Sequence, residues 1–373
     1  VKSEKGMKEN IPILEVRNLK IKKGGITILH IPSLLINKGE TLSIIGPNGA
    51  GKTTLLQTLS YLSKQFQGEI LFKGEKIDSN ISILDFRRRL SFVFEEPLLF
   101  DTTVFNNVAS GLKIRGFKRD EIKKKVMDEL DRFGIKHLYN RSSKSLSAGE
   151  ARRASLARAL VTEPEILFMD EPFSSLDPPS RDSIIEDLKN ILNQRKTTLI
   201  FATHDRSEAI HFSDRIAVMN EGRIIQIGKT DDVINHPLDE FVASFIGIET
   251  ILSGKVIQRY SGTFIVSIDG QEIEAVGEAN VGEKVTLFIR PENVTLSTSM
   301  TKGKTSARNV FRGKVLKILP LGLFKKVQLD CRFPLIAYIT NHSLEELSIQ
   351  EGKEVEASFK ATAVSVIRRS KNE

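Results

Sequence analysis

Gly46-Pro47-Asn48-Gly49-Ala50-Gly51-Lys52-Thr53 has the spacing G-x-x-x-x-G-K-[ST], and Thr54 follows it. Just upstream, Thr41–Ile45 is a short apolar run. Just downstream, Thr53–Leu62 sets Leu55, Leu56, Leu59 and Leu62 on one helical face. Strand, glycine-rich turn and helix in that order predict a loop that wraps phosphate groups. Phosphates are strongly hydrated anions. Such a loop replaces their water with a ring of backbone N–H groups, which glycines allow to approach closely, and the helix start adds the positive end of its dipole. Lys52 is placed to reach the β- and γ-phosphates, and the Thr53 hydroxyl to sit on Mg²⁺.

Phosphoryl chemistry also needs a carboxylate for the metal and a group that handles water. Ile166-Leu167-Phe168-Met169-Asp170-Glu171 reads as a buried strand delivering two carboxylates at its carboxyl end, where open α/β sheets collect ligands. Neighbouring strand residues face opposite ways, so the two are expected to differ in role: Asp170 with Mg²⁺, Glu171 polarising the attacking water. Thr198–Ala202 reads as a further buried strand, and Lys118–Phe133 as a surface helix on a projecting subdomain. Asp214–Gly228 reads as two strands about the turn Asn220-Glu221-Gly222. Pro237 and the apolar positions Phe241, Val242, Phe245 and Ile246 mark a last helix before a boundary near Gly247–Thr250.

The whole chain sets bounds on these readings. Its 373 residues exceed what one core organises, so two or three domains are expected. With 40% apolar and 27% charged residues the chain is globular, and it has no apolar run of the roughly 18–20 residues that a bilayer crossing requires. Fifty-five Lys+Arg against 47 Asp+Glu leave a net charge of +8, suited to an anionic ligand, nucleic acid or a lipid surface. One cysteine, Cys331, cannot form an internal disulfide, which points to a reducing compartment; Val1–Asn10 lacks an apolar signal core, so secretion is not expected.

From Ile251 the texture changes to period-two alternation with frequent glycines, and it repeats. Gly254-Lys255-Val256 matches Gly313-Lys314-Val315, Gly282 and Val285 match Gly352 and Val355, and the register sets Arg290 against Lys360 and Val294 against Val364. Two small β-barrel modules are expected, residues 251–300 and 306–369, joined by the polar linker Thr298–Thr305.

Residues 13–247 resemble the nucleotide-binding subunits of ABC transporters. Leu146-Ser147-Ala148-Gly149-Glu150 is similar to the signature LSGGQ/E, Ser174-Ser175-Leu176-Asp177 to the D-loop, and Thr203-His204-Asp205 to the switch histidine. The resemblance implies an α/β P-loop NTPase domain over residues 11–247, with a helical subdomain over about 85–160 and an all-β tail of two OB-like modules. It implies ATP and Mg²⁺ as cofactors and a head-to-tail homodimer. There the signature Ser147, Ala148, Gly149 and Glu150 of one copy would face the nucleotide held by Pro47 to Thr54 of the other. His204 would contact the γ-phosphate and Asp177 would link the two sites. Three departures stand out. Glu95 replaces the family's glutamine and is expected near the metal; Ala148 replaces a signature glycine, tolerable where φ stays negative; Lys22 and Lys23 stand where an aromatic usually stacks on adenine.

The second tail module resembles the Mop-type molybdate/tungstate domain through Ser306-Ala-Arg-Asn309, Gly313-Lys-Val315, Ile339-Thr-Asn-His-Ser343 and Phe359-Lys-Ala-Thr-Ala-Val364. Arg290-Pro-Glu-Asn-Val294 resembles the general β module of importer ATPases. A tetrahedral dianion needs convergent N–H and O–H donors, which Ser306, Arg308, Thr340, Lys360 and Thr362 offer. The expected function is therefore the ATPase of a molybdate or tungstate importer. It would act with a membrane permease and an extracytoplasmic binding protein, at the cytoplasmic face of the membrane. Alternatives are an importer ATPase for sulfate, iron, polyamine or sugar, and a soluble ABC-type ATPase acting on nucleic acid. The sequence has no second cassette and no aromatic-interleaved basic stretch to favour the last.

Overall fold

In a computed structural model, residues 11–174, 176–298 and 305–368 are described. The decapeptide Val1–Asn10 read for a targeting signal, Ser175 of the D-loop-like string, most of the expected linker and Arg369 lie outside them. The chain packs as two units, Val1–Thr230 and Asp231–Glu373.

In the first unit a six-stranded sheet runs in the order Arg223–Lys229, Arg215–Asn220, Thr41–Ile45, Thr198–Thr203, Ile166–Asp170, Leu90–Val93. The last five are parallel and the first is an antiparallel edge. The three central strands are buried along nearly their whole length, as parallel strands covered on both faces must be. Alternate residues feed opposite cores. Ile166, Phe168, Ile200 and Ala202 join the cluster around the helix Lys52–Leu59, while Leu167, Met169, Leu199 and Phe201 join that of the helices Val104–Ile114, Arg119–Arg132, Ala148–Leu160 and Pro178–Arg195. A smaller antiparallel sheet, Ile26–Ile36, Leu14–Lys23, Gln67–Phe72 and Glu75–Lys76, completes the unit.

The helix after the glycine-rich turn is shorter than its periodicity predicts. It ends at Leu59, Tyr61 takes a left-handed φ of 56°, and Leu62 is 44% exposed. Tyr61 is the cause: its ring packs edge-on against Phe66 and Phe86, and its hydroxyl donates to Ile77 O at 3.3 Å, which draws the chain out of the helix. The expected surface helix is Arg119–Arg132. Its inner face buries Ile122, Val126 and Leu130, together with Glu129, whose carboxylate is paired with Arg195.

The second unit opens with short helices, including Glu240–Phe245, and continues as two five-stranded antiparallel sheets over one shared core. The repeat is visible in the backbone. Lys284–Ile289, Pro291–Asn293 and Thr295–Ser297 correspond to Glu354–Phe359, Ala361–Ala363 and Val364–Arg368. Gly282 N–H donates to Val256 O at 2.8 Å, just as Gly352 N–H donates to Val315 O at 2.7 Å. The sheets are not contiguous in sequence, however. Thr295–Ser297 pairs with Glu354–Phe359 of the second half, and Val364–Arg368 with Lys284–Ile289 of the first, so each half lends its last strand to the other's sheet. Side chains staple the exchange: Thr250 Oγ1 accepts from Ile336 N, while Asn309 both accepts from and donates to the Glu274 backbone.

Candidate functional site

Three adjacent parallel strands end side by side. Ile45 lies opposite Thr203, and Asp170 opposite Ala202, so the turn after Ile45, the carboxylates after Met169 and the histidine after Thr203 emerge at one edge. There Asn48, Gly49, Ala50, Gly51, Lys52, Thr53 and Thr54 line an open cleft of about 450 Å³ with Glu95, Glu171 and His204. Gly51 takes φ +98°, a left-handed conformation that a side chain would strain, and so starts the helix without a side-chain cap.

The side chains interlock across these strand ends. The Lys52 ammonium donates to Gly46 O at 2.8 Å and Pro47 O at 3.2 Å, and lies 3.6 Å from Glu171 Oε1. Thr53 Oγ1 donates to Asp170 Oδ1 at 3.1 Å. Burial raises the Asp170 carboxyl above its ordinary range, against the Thr53 bond and with the nearby Glu171 and Glu95 charges adding to the rise. Glu171 has left the strand with φ +43°, and its Oε2 lies 2.8 Å from His204 Nδ1 and accepts from His204 N at 3.3 Å. A carboxylate on Nδ1 fixes the orientation of the ring and turns Nε2 to the side away from Glu171. Hydroxyl and carboxylate oxygens side by side form the hard donor set that suits Mg²⁺, and Glu95 adds a third carboxylate to the cleft wall.

The signature residues do not line this cleft. Ser147 is the N-cap of Ala148–Leu160: its Oγ accepts from Glu150 N at 3.3 Å and its N–H donates to Glu150 Oε2 at 2.8 Å. The Ser147 N–H, and with it the Ser147 hydroxyl, holds the Glu150 carboxyl below its ordinary range. Ala148 is the first helical residue and keeps a negative φ, the condition under which its methyl is tolerable. Asp177 caps Pro178–Arg195 through Ser180, whose hydrogen bonds lower its pKa. Lys22 and Lys23 are exposed at a hairpin end.

Two arginines of the signature helix were not singled out in the sequence as a clamp. Arg152, fully buried, donates to Phe94 O at 2.8 Å and to Glu95 O; Arg158 donates to Leu98 O at 2.9 Å and Pro97 O at 3.0 Å. They tie the Glu95 segment to the signature helix. Burial pulls the Arg152 guanidinium down to about 10. The signal was an arginine inside a run of small apolar residues, but its acceptors lie some sixty residues upstream.

The five oxyanion candidates of the second unit lie at the surface, with Arg308 and Lys360 flanking the paired residues Asn309 and Phe359. Ser306, Arg308, Thr340, Lys360 and Thr362 are all exposed. Thr340 is a helix N-cap, accepting from Ser343 N at 3.1 Å, and Thr362 alone lines a groove with Asn235, His236 and Glu278.

A phosphate loop, an acidic strand end and a switch histidine on one parallel sheet define a P-loop nucleotide-binding protein. Residues 29–174 match the ABC transporter family, and residues 305–366 the TOBE domain. The chain is 40% identical over 89% of its length to the molybdate/tungstate import ATP-binding protein WtpC of Pyrococcus horikoshii, covering 93% of that protein. It is 37% identical to the spermidine/putrescine import ATP-binding protein PotA of Clostridium novyi, over 78% of this chain and 82% of that one. The solved structure of cbiO1 from Clostridium perfringens, part of the ABC transporter complex cbiONQ, is 33% identical with a TM-score of 0.57, over 64% of this chain and 95% of that one. The chain belongs to the ABC transporter family of import ATP-binding proteins and is an ATPase of that family, using ATP with Mg²⁺. No helix among the described residues is long and apolar enough to cross a membrane.

Proposed function

We propose that this chain is the ATP-hydrolysing subunit of a molybdate or tungstate importer. It works as a homodimer on membrane permease subunits that receive the oxyanion from an extracytoplasmic binding protein. The observation that carries the substrate reading is the 40% identity to a molybdate/tungstate import protein over 89% of this chain. The relatives named for spermidine and putrescine favour a second reading, polyamine import.

The chemistry follows from the cleft. The N–H groups of residues 49–54 bind the phosphates, and Lys52 exchanges its loop carbonyls for phosphate oxygens. Thr53 and Asp170 hold Mg²⁺, with Glu95 beside them; the ion, when bound, offsets the charge of the phosphates. Glu171 accepts the proton of the attacking water, and His204, oriented by the same carboxylate, presents Nε2 to the γ-phosphate. Because Ser147 and the Gly149 amide lie outside their own chain's cleft, a second copy supplies them head-to-tail. The 85–145 segment, beside Glu95, is the permease-docking surface. Anion binding to the tail slows hydrolysis, and by linkage the ATP-closed state binds the anion more weakly.

Glu171→Gln is expected to bind ATP yet lose about 10²–10⁴ in hydrolysis, the usual contribution of a general base; near-parental turnover would remove Glu171 from that role. In vesicles carrying the permease, ATP-driven uptake of tungstate or molybdate and not spermidine is expected. The opposite preference establishes the second reading.

A further inference from the structure

We propose that the hairpin turn Asn220-Glu221-Gly222 is a positioning element for the phosphate loop, setting the Ala50–Gly51 peptide so that Gly51 N–H faces the cleft. The inference rests on the nucleotide reading of the loop. Arg215–Asn220 is the parallel neighbour of Thr41–Ile45, so the turn that follows it arrives beside the turn that follows Ile45. Gly222 N–H donates to Ala50 O at 2.9 Å, and Gly222 O accepts from His30 N at 2.8 Å. A trans peptide is planar, with its C=O and its N–H pointing opposite ways. Anchoring Ala50 O on the turn therefore directs the N–H of that same peptide, Gly51 N–H, to the other side, and Gly51 lines the cleft. Ala50 N–H is itself bonded to Pro47 O at 3.2 Å, so the residue is pinned from both sides.

The strand leading into the turn packs against the same loop. A Cβ at Gly46 would lie 2.3 Å from Met219 O, and one at Gly51 would lie 3.5 Å from Met219 Cε. The turn admits only glycine at its last position. Gly222 has φ +74°, and a Cβ there would stand 2.2 Å from Ile28 O, so any side chain must push the turn off the strand Ile26–Ile36 or off the loop. The turn's residues are not among those that line the cleft, and Gly222 acts through Ala50.

The test is calorimetry on the full chain with Mg²⁺ and either ATP or pyrophosphate, beside kcat at saturating ATP. Gly222→Ala should weaken both ligands by the same factor, about tenfold, as loss of one anchoring hydrogen bond allows, while kcat changes far less. Gly270→Ala controls for backbone strain, since Gly270 has φ +79° in a turn of the second unit with open space around it; it should leave both affinities unchanged. Parental affinity in Gly222→Ala, or equal losses in the two variants, overturns the proposal. Should Gly222→Ala not fold, amide exchange on the parent chain decides. Pyrophosphate should slow exchange at residues 219–223 together with 47–54, and slowing confined to 47–54 overturns the proposal. Lys52→Ala separates the two levels. If it loses pyrophosphate while Gly222→Ala keeps it, the nucleotide reading stands and the turn's role falls; a parent chain that binds neither ligand sinks both.

Discussion

The nucleotide cleft and the tail differ in how their candidate ligands are held. In the cleft, residues 46–54, 170–171 and 204 come from distant stretches, yet their side chains reach one another within 2.8–3.6 Å. In the tail, five donors of the right chemistry are exposed, and Thr340 is occupied in capping a helix. The difference is architectural. Parallel strands side by side bring their carboxyl ends to one edge, so residues at those ends converge whatever their sequence separation. Exposed hydroxyls and amines on small antiparallel sheets have no such common edge and are oriented by local caps and turns.

The sharpest way to break this contrast is to ask whether the cleft, convergent as it is, works alone. Lys52→Ala and Ser147→Arg are each expected to lose about 10²-fold or more in hydrolysis as pure proteins, in line with removal of a transition-state donor. Mixed and allowed to exchange, half of the dimers carry both variants and hold one intact site, so about a quarter of the parental rate should return. No recovery on mixing would mean that each cleft is completed within its own chain.

A smaller effect tests the frame that holds Glu95. Arg152→Ala removes a fully buried side chain and takes its donors from the Phe94 and Glu95 carbonyls, and should cost about 2–4 kcal/mol in denaturant unfolding. A loss below 1 kcal/mol would mean that the segment is held by other contacts. In the tail, Thr340→Ala should cost about 1 kcal/mol, as an N-cap does, and leave tungstate affinity of the full chain unchanged. A fall in affinity at unchanged stability would return Thr340 to a binding site and narrow the contrast between the two regions.

The smallest effect concerns Asp170. Burial raises its pKa in the folded chain, so the folded state takes up the proton more readily than the unfolded one, and this group's contribution to stability declines as pH rises through its folded value. Asp170→Asn should therefore raise the thermal midpoint of the ligand-free protein at neutral pH, by a margin that shrinks on acidification. A margin constant with pH would assign the change to packing instead.

Much of the site was legible in the residues. Gly46 to Thr53, Asp170-Glu171 and His204 each sit where an apolar run ends, and the structure brings all three into contact. Leu62, expected on the buried face of the first helix, is exposed because Tyr61 docks against Phe66 and Phe86, a competition between distant rings that periodicity cannot register. The part Arg152 plays is not visible in its own stretch of sequence, since its acceptors lie near residue 94. The repeat between the tail halves was visible at Gly254 and Gly313. The exchange of Thr295–Ser297 and Val364–Arg368 was not, since the same alternation pairs equally well within a half or across halves.

By itself, then, the amino-acid order determined the phosphate-loop chemistry, the buried strands and the repeated tail. These follow from local backbone freedom, side-chain type and periodicity, which a short window of chain contains. Only the tertiary structure decided which strand ends stand together, that Gly222 braces Ala50, that Arg152 holds the Glu95 segment, and which sheet each last strand joins. Those outcomes depend on hydrogen bonds and packing between residues dozens to hundreds of positions apart, where sequence spacing carries no distance.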